Sequence, residues 1–217
     1  MESAGIPARE PTAGERARAA EVGQVVREGW TPADPGPLGL GAFALTTFVL
    51  SMFNADLVSP NGEPVVLGLA LAYGGLAQLL AGMWEFRTGN TFGAVAFSSF
   101  GAFWLSYFVL VMFNAGDIPE ANAGDAIGLY LVAWGIFTTY MFVASLRTTA
   151  AVAVVFFLLA VTFYLLGIGD AGAHTDITKA GGWFGLATAA AAWYASFAGV
   201  TNSTFGRTVL PVKPLNE

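Results

Sequence analysis

Long stretches without any acidic or basic residue dominate the chain from Leu38 onward. These stretches cover residues 38–55, 64–84, 88–116, 126–146, 148–169 and 180–206. Each is near or above the ~20 residues that an α-helix needs to cross the hydrocarbon core of a bilayer. The pattern therefore predicts an all-α integral membrane protein with six transmembrane helices.

The composition supports this class, because 55% of the residues are hydrophobic and only 11% are charged. Soluble domains carry about 25% charged residues. Residues 1–33 differ from the rest, since they hold nine acidic and basic residues of mixed sign among Ala, Gly and Pro. We therefore expect a cytosolic N-terminal tail over 1–33, a transmembrane domain over 34–206 and a cytosolic C-terminal tail over 207–217.

Basic residues flank the predicted spans almost entirely at one membrane face. That face carries Arg9, Arg16, Arg18, Arg27, Arg87, Arg147, Arg207 and Lys213. The opposite face has only Lys179. Because Lys and Arg are retained on the cytoplasmic side of a membrane, the distribution predicts that both termini lie in the cytoplasm.

The chain contains an internal repeat. Residues 41–55 and 101–115 share eleven identities in fifteen positions at an offset of 60 residues. The repeating unit is a pair of helices, and pairs of the same orientation are related by an axis along the membrane normal. This symmetry favours a pathway along the axis, lined by helices one, three and five. Duplication without a pore is the alternative.

The charge and the residue types exclude several classes of function. The net charge is −6 and Arg and Lys form no run, so nucleic acid is not a predicted partner. The chain has no cysteine, which excludes disulfides, thiolate nucleophiles and zinc–thiolate sites. The predicted helices hold no evident catalytic cluster or metal site. We therefore predict a protein that is not an enzyme and that needs no cofactor.

Two polar features of the helices bear on a pathway. Asp34 to Leu40, DPGPLGL, opens the first helix, where Asp34 can cap free N–H groups and a helix N-terminus attracts anions. Polar side chains within the membrane, among them Thr46 and Gln78, need hydrogen-bond partners in the absence of water. For Gln78, bonding to another helix and lining a polar pathway both remain open.

Five segments carry a resemblance to a known family. They are DPGPLGL (34–40), YGGLAQLLAGMWEFRTGNTFG (73–93), SFGAFW (99–104), GLYLVAWGIFTTYMF (128–142) and FGRTVLP (205–211). Over residues 34–213 the chain resembles the acetate uptake transporter family, whose NPAPLGL signature matches the first segment. The chain departs from the family pattern at Asp34, where the signature has Asn, and at Phe100, where Tyr is frequent.

The resemblance implies a six-helix protomer, assembly as a homo-hexamer, and a pathway through each protomer for acetate and, in some members, succinate. It implies a pore constriction formed by Phe43, Phe100 and Leu159. The predicted substrate pathway comprises Asp34, Pro35, Pro37, Leu38, Gly39, Thr46, Tyr73 and Gln78. The expected location is the plasma membrane, which the chain crosses several times in contact with the lipid bilayer.

The physical chemistry of acetate leaves two modes of passage open. A carboxylate carried past phenylalanine rings without a nearby cation loses its hydration at a high free-energy cost. Acetate must therefore keep part of its water, as in a channel, or travel with a proton. A membrane sensor or assembly protein that keeps the fold without transporting anything is the alternative function.

Overall fold

The computed structural model of the protein describes residues 10–18 and 32–215. The chain divides into two units, residues 1–33 and 34–217. In the first unit a short helix over 13–18 begins with a capping box, in which the Thr12 N–H donates to Glu15 Oε2 at 2.6 Å and the Glu15 N–H donates to Thr12 Oγ1 at 3.3 Å. The hydrogen bonds from Thr12 lower the pKa of the Glu15 carboxyl. Residues 1–9 and 19–31 of the predicted tail, which include Arg9 and Arg27, lie outside the described residues.

The second unit is built from long helices, as the apolar stretches predict. Within residues 32–215 these are α1 Gly36–Asn54, α2 Val65–Thr88, α3 Thr91–Asp117, α4 Glu120–Ser145, α5 Ala150–Ala171 and α6 Thr175–Phe205. The first five have the length and hydropathy of membrane-spanning helices. These helices confirm the predicted all-helical fold, and five of them are long and apolar enough to cross a membrane.

Helix α6 is 31 residues long but less apolar than the other five, because it is rich in Gly, Ala and Thr. These small residues form its buried face and bring its backbone close to α1. A side chain at Gly182 would collide with the backbone of Ala55, and one at Gly185 would collide with the Ser51 hydroxyl. Small residues allow such close helix contacts in membrane proteins, so α6 packs along the length of α1.

Helices α2 and α3 each contain a π-helical segment, Ala72–Ala77 in α2 and Leu110–Asn114 in α3. In α2 the segment includes Gly74, where an added Cβ would lie 2.6 Å from Thr46 Oγ1 of α1. A π-helical turn inserts one residue and rotates the following part of the helix. The segment in α2 therefore sets the direction of Gln78, which is the first residue after it.

Polar contacts fix the helix ends. The side chain of Asn90 accepts a hydrogen bond from Gly93 N at the start of α3, and the Thr149 hydroxyl accepts one from Val152 N at the start of α5. Lys179 Nζ lies 2.8 Å from Asp56 Oδ2, which joins the first turns of α6 to the residues that follow α1. Both side chains of this ion pair are about half exposed.

Candidate substrate pathway

Two cavities enter the helix bundle from its opposite ends. The Asp170 vestibule, about 220 Å³, is reached by the C-terminal ends of α1, α3 and α5 and includes Asn54, Glu63 and Asp170 in its wall. The Asp34 vestibule, about 300 Å³, is reached by the start of α1 and by the α2–α3 and α4–α5 connections, and includes Asp34 and Glu85. The C-terminal ends of α1, α3 and α5 thus lie at one vestibule, and their N-terminal ends lie at the other.

A much smaller cavity of about 20 Å³ lies between the vestibules. It shares Phe43 and Leu159 with the Asp170 vestibule, and shares other wall residues with the Asp34 vestibule. The wall residues that it shares with the Asp34 vestibule are Leu40, Ala96, Phe97 and Phe156. A cavity of this size holds about one water molecule. It is therefore the narrowest space between the two vestibules, and it is called the constriction below.

The three residues of the expected pore constriction all line this small cavity. Phe43 on α1, Phe100 on α3 and Leu159 on α5 are each exposed by only 3–4%. The Phe43 and Phe100 rings are tilted by 56°, with centroids 5.7 Å apart. Phe100 also packs edge-on against Phe137, with the ring centroids 5.4 Å apart. The triplet belongs to the three helices that the repeat had indicated.

Among the described residues that line the constriction, Gln78 is the only polar one. The side chain is 1% exposed, and its amide oxygen Oε1 has no hydrogen-bond partner among the described residues. The repeat analysis assigned the pathway to helices one, three and five, whereas Gln78 brings α2 into the constriction. The sequence left open whether Gln78 bonds to another helix or lines a polar pathway. Within the described part of the chain, no other helix donates a hydrogen bond to its Oε1.

The Asp34 vestibule is acidic. Asp34 Oδ1 accepts a hydrogen bond at 2.8 Å from the N–H of Gly36, the first residue of α1, and Pro37 lies in the same wall. Glu85 is 2% exposed, and its Oε2 accepts a hydrogen bond from the Thr88 hydroxyl at 3.0 Å. Two carboxylates therefore border the space that an anion would cross.

The segment after α6 folds back beside the Asp34 vestibule. The side-chain oxygen of Asn202 accepts hydrogen bonds from Val209 N at 2.7 Å and Leu210 N at 2.9 Å. Further along, Ala150 N of α5 donates to the carbonyl oxygen of Lys213 at 2.8 Å. Val212 lies in the vestibule wall. The last described residues thus form part of this vestibule.

The rim of the Asp170 vestibule is also acidic, but its carboxylates receive hydrogen bonds from neighbouring helices. The Tyr107 hydroxyl donates to Glu63 Oε1 at 3.0 Å, and the Thr178 hydroxyl donates to Asp170 Oδ1 at 3.5 Å. Among the residues lining the two vestibules and the constriction, none is Lys or Arg. An anion in the pathway therefore meets neutral donors and no fixed cation there.

Five residues of the predicted substrate pathway line none of these three cavities. They are Pro35, Leu38, Gly39, Thr46 and Tyr73. Leu38 is 46% exposed. Thr46 is fully buried, and its hydroxyl donates to the Ala42 carbonyl at 2.9 Å. The structure therefore brings together Asp34, Pro37 and Gln78 from the predicted pathway, along with the three constriction residues.

Sequence reasoning missed the aromatic wall of the Asp170 vestibule. Phe103 packs edge-on against Phe163 at 5.2 Å and against Trp104 at 5.0 Å, measured between ring centroids. Phe103 is the repeat equivalent of Phe43, at an offset of 60 residues. This equivalence could have indicated from the sequence that Phe103 lines the vestibule. The repeat gave no such indication for Phe163 on α5.

The described residues contain no group of three or more His, Cys, Asp or Glu side chains that could hold a metal ion. The site is instead two vestibules that meet at an apolar constriction, within a bundle of membrane-spanning helices. This arrangement is typical of a membrane channel or transporter.

Comparison with known proteins gives the family. A sequence model of the GPR1/FUN34/yaaH family matches residues 22–217, and the chain belongs to this family. Acetate permease A of Emericella nidulans is 46% identical over 198 residues, which are 83% of this chain and 65% of the relative. The succinate-acetate/proton symporter SatP of Escherichia coli is 39% identical over 180 residues, 83% of this chain and 95% of the relative. The resemblance found in the sequence is confirmed.

A solved structure supports the fold. The structure of the bacterial acetate channel SatP matches with a TM-score of 0.78 at 39% identity, over 83% of this chain and 99% of that chain. The chain spans 65% of the length of the Emericella permease and 61% of the accumulation of dyads protein 2 of Saccharomyces cerevisiae, which is 46% identical over 173 residues. The five apolar helices and these transport relatives make it a multi-pass plasma membrane protein.

Proposed function

We propose that the protein transports acetate across the plasma membrane through a pathway within each protomer, with succinate as a second substrate. The observation that carries this proposal is the constriction of about 20 Å³ between two vestibules, lined by Phe43, Phe100 and Leu159. The relatives named as an acetate permease, a succinate-acetate/proton symporter and an acetate channel support the choice of substrate.

In this proposal the chain crosses the membrane six times and both termini lie in the cytoplasm. The Asp34 vestibule then faces the cytoplasm and the Asp170 vestibule faces the exterior. Helix α6 is long enough for the sixth crossing, because 31 residues at 1.5 Å each give about 46 Å. The distribution of basic residues supports the orientation, with Arg87 and Arg147 at the cytoplasmic connections and Lys179 at the other face.

The proposed organisation comprises the cytosolic tail 1–33, the transmembrane domain 34–206 and the tail 207–217. The hexamer is proposed from the family resemblance. Large apolar side chains on α2 and α4 support it, because they are exposed on the single protomer and can contact lipid or a neighbouring protomer. Examples are Leu80, Phe86, Leu129, Ile136 and Val143.

The constriction limits how acetate crosses. An unpaired carboxylate in an apolar, nearly closed space carries a large desolvation cost. Among the described residues that line the cavities, no Lys or Arg offsets this cost. Acetate crosses either with a proton or with part of its hydration shell while the rings move apart. The Gln78 amide can serve both modes, because its N–H2 group can donate to a carboxylate and its Oε1 can accept from the hydroxyl of acetic acid.

Uptake of radiolabelled acetate into proteoliposomes tests the proposal. At pH 8, fewer than about one acetate molecule in a thousand is the neutral acid, so passive diffusion is slow. We expect uptake well above that of protein-free liposomes. Accumulation driven by an inward proton gradient, beyond that in protein-free liposomes under the same gradient, indicates proton-linked transport, and faster equilibration without accumulation indicates a channel. Uptake equal to that of empty liposomes, for both acetate and succinate, would contradict the proposal.

A further inference from the structure

We propose that Gly39 is a positioning residue of the pathway, because its missing side chain leaves the space that the Phe97 ring occupies. The position of this ring in turn sets the width of the passage between the constriction and the Asp34 vestibule. The inference rests on the proposed transport for its consequence for acetate, and on the packing of α1 against α3 for the contact itself.

The Phe97 ring of α3 lies directly against the backbone of α1 at Gly39. A Cβ added at Gly39 would lie 2.6–2.7 Å from three carbons of the ring, Cγ, Cδ1 and Cε1. Non-bonded carbon atoms pack at about 3.5–4.0 Å. Gly39 itself is buried within the bundle. A side chain at position 39 and the Phe97 ring in its present position therefore exclude each other.

The backbone of α3 has little freedom to make room for such a group, because it is packed tightly on α2. A Cβ added at Gly82 of α2 would lie 3.0 Å from the carbonyl carbon of Phe97, and one at Gly101 of α3 would lie 2.6 Å from the backbone nitrogen of Leu79. Small residues permit this close approach of two helices in membrane proteins. Because a shift of α3 would disturb the interface, the Phe97 ring is the part that moves.

The free space beside the Phe97 ring is the pathway. Phe97 lines both the constriction and the Asp34 vestibule. Elsewhere the interior of a protein is close-packed, so a ring displaced from α1 moves into these two cavities. The constriction encloses only about 20 Å³, and even a partial displacement of the ring closes it.

Phe156 is the other aromatic residue that lines both of these cavities. Its ring packs edge-on against Phe92, with the centroids 5.1 Å apart, and is tilted against Phe100 at 6.0 Å. Aromatic neighbours thus hold Phe156, whereas the contact with Gly39 places Phe97. Gly39 lines none of the three cavities, so its effect on the passage of acetate is exerted through Phe97.

One added methyl group at Gly39 tests the consequence for transport. Gly39→Ala is expected to lower acetate uptake into proteoliposomes at least about tenfold and propionate uptake further, because one methylene in an apolar site corresponds to roughly 10–200-fold discrimination. Gly41→Ala is the matched control on α1 and should transport as the wild type. Its methyl group would meet side-chain oxygens of Ser196 and Tyr73 at 3.1 and 3.4 Å, and Gly41 lines none of the three cavities.

Rescue by a second change separates positioning from a general loss of structure. Phe97→Ala removes the ring carbons that the added methyl group meets, so Gly39→Ala with Phe97→Ala should transport within about twofold of Phe97→Ala alone, as for changes that do not interact. Phe97→Ala alone should raise uptake of propionate and butyrate relative to acetate. Phe108→Ala, on α3 but outside the three cavities, should not restore uptake to Gly39→Ala.

Thermal melting of the same proteins tests the contact without transport. Gly39→Ala should lower the melting temperature when Phe97 is present, and should leave it unchanged or raise it in the Phe97→Ala background, because Ala favours a helix more than Gly does. If Gly39→Ala does not fold while the double variant folds, the contact is equally supported. Equal shifts of the melting temperature in the two backgrounds would show that the residues do not interact and would overturn the inference.

Wild-type uptake by Gly39→Ala, or a loss of uptake that Phe97→Ala does not restore, would also overturn it. Neither result would affect the transport proposal, which depends on uptake by the wild type. Conversely, a wild type without uptake above that of empty liposomes would refute transport, and with it the consequence for acetate, while the melting temperatures decide the contact.

Discussion

Replacing Gln78 by methionine is expected to lower acetate uptake at least tenfold, while the protein remains at least as stable to heat. The amide is buried at the constriction, and its Oε1 has no partner among the described residues. Methionine has a similar length but removes a polar group that costs about 1–3 kcal/mol when buried unpaired. The same change removes the amide N–H2 of Gln78, the group that can donate a hydrogen bond to the acetate carboxylate, a bond worth about 1.5–3 kcal/mol.

The Gln78 experiment is informative because acetate uptake is expected to fall while thermal stability is expected to stay the same or rise. Initial rates of uptake into proteoliposomes and thermal melting are measured on the same preparations. Leu80→Met is the control, because Leu80 lies on the same helix and is 50% exposed outside the pathway. A Gln78→Met protein that transports acetate at the wild-type rate would exclude a role for the amide. A wild-type protein without uptake above that of empty liposomes, together with a stable Gln78→Met variant, would favour the sensor function instead.

Replacing Leu159 by alanine should widen the constriction and change which acids pass. We expect uptake of propionate and butyrate to rise relative to acetate by about tenfold or more, because one methylene in an apolar site corresponds to roughly 10–200-fold discrimination. Leu159 is 4% exposed and packs in the core of the bundle. Its truncation should also cost about 2–5 kcal/mol of stability.

Competition between labelled acetate and unlabelled propionate or butyrate measures this change in size selectivity. Leu158→Ala is the matched control, since Leu158 is the adjacent residue of α5, is only half-buried and lines none of the three cavities. Both variants are assayed below their melting temperatures. An unchanged order of acids in a folded Leu159→Ala protein would show that this side chain does not limit the passage of substrate.

The helices could be predicted from the sequence, because an apolar stretch of about 20 residues can form few structures other than a helix that spans a membrane. The stretch 38–55 corresponds to Gly36–Asn54, but α4 starts at Glu120 and α6 at Thr175, several residues before the stretches 126–146 and 180–206. The additional first turns contain charged residues such as Asp125 and Asp176. Charged side chains are tolerated at helix ends, near the membrane surface, so their positions do not mark the helix boundary.

The inward-facing side chains were harder to predict. Thr46 and Thr47 are neighbours, yet Thr46 packs against Gly74 while Thr47 lines the Asp170 vestibule. In an amphipathic helix the buried face can be recognised because polar residues occupy the opposite side, but α1 is apolar on nearly all sides. The π-helical turn before Gln78 is equally invisible to hydropathy, because it changes backbone hydrogen bonding and leaves composition unaltered.

The constriction residues came from the family resemblance, and the repeat independently indicated their helices. Phe43 and Phe100 are not repeat equivalents, since the offset of 60 residues relates Phe43 to Phe103. Symmetry alone would therefore have selected Phe103, which lines the Asp170 vestibule and not the constriction. The particular packing of α1, α3 and α5 decides which aromatic side chains meet.

The central claim is that acetate passes between Phe43, Phe100 and Leu159, and a single cysteine tests it most directly. The chain has no cysteine, so Leu159→Cys carries the only thiol and a small methanethiosulfonate reagent modifies that position alone. We predict that modification stops most acetate uptake and that acetate slows the modification. Ser59→Cys, in the exposed α1–α2 connection, should be modified without loss of uptake. Full modification of Leu159→Cys with undiminished uptake would contradict the pathway.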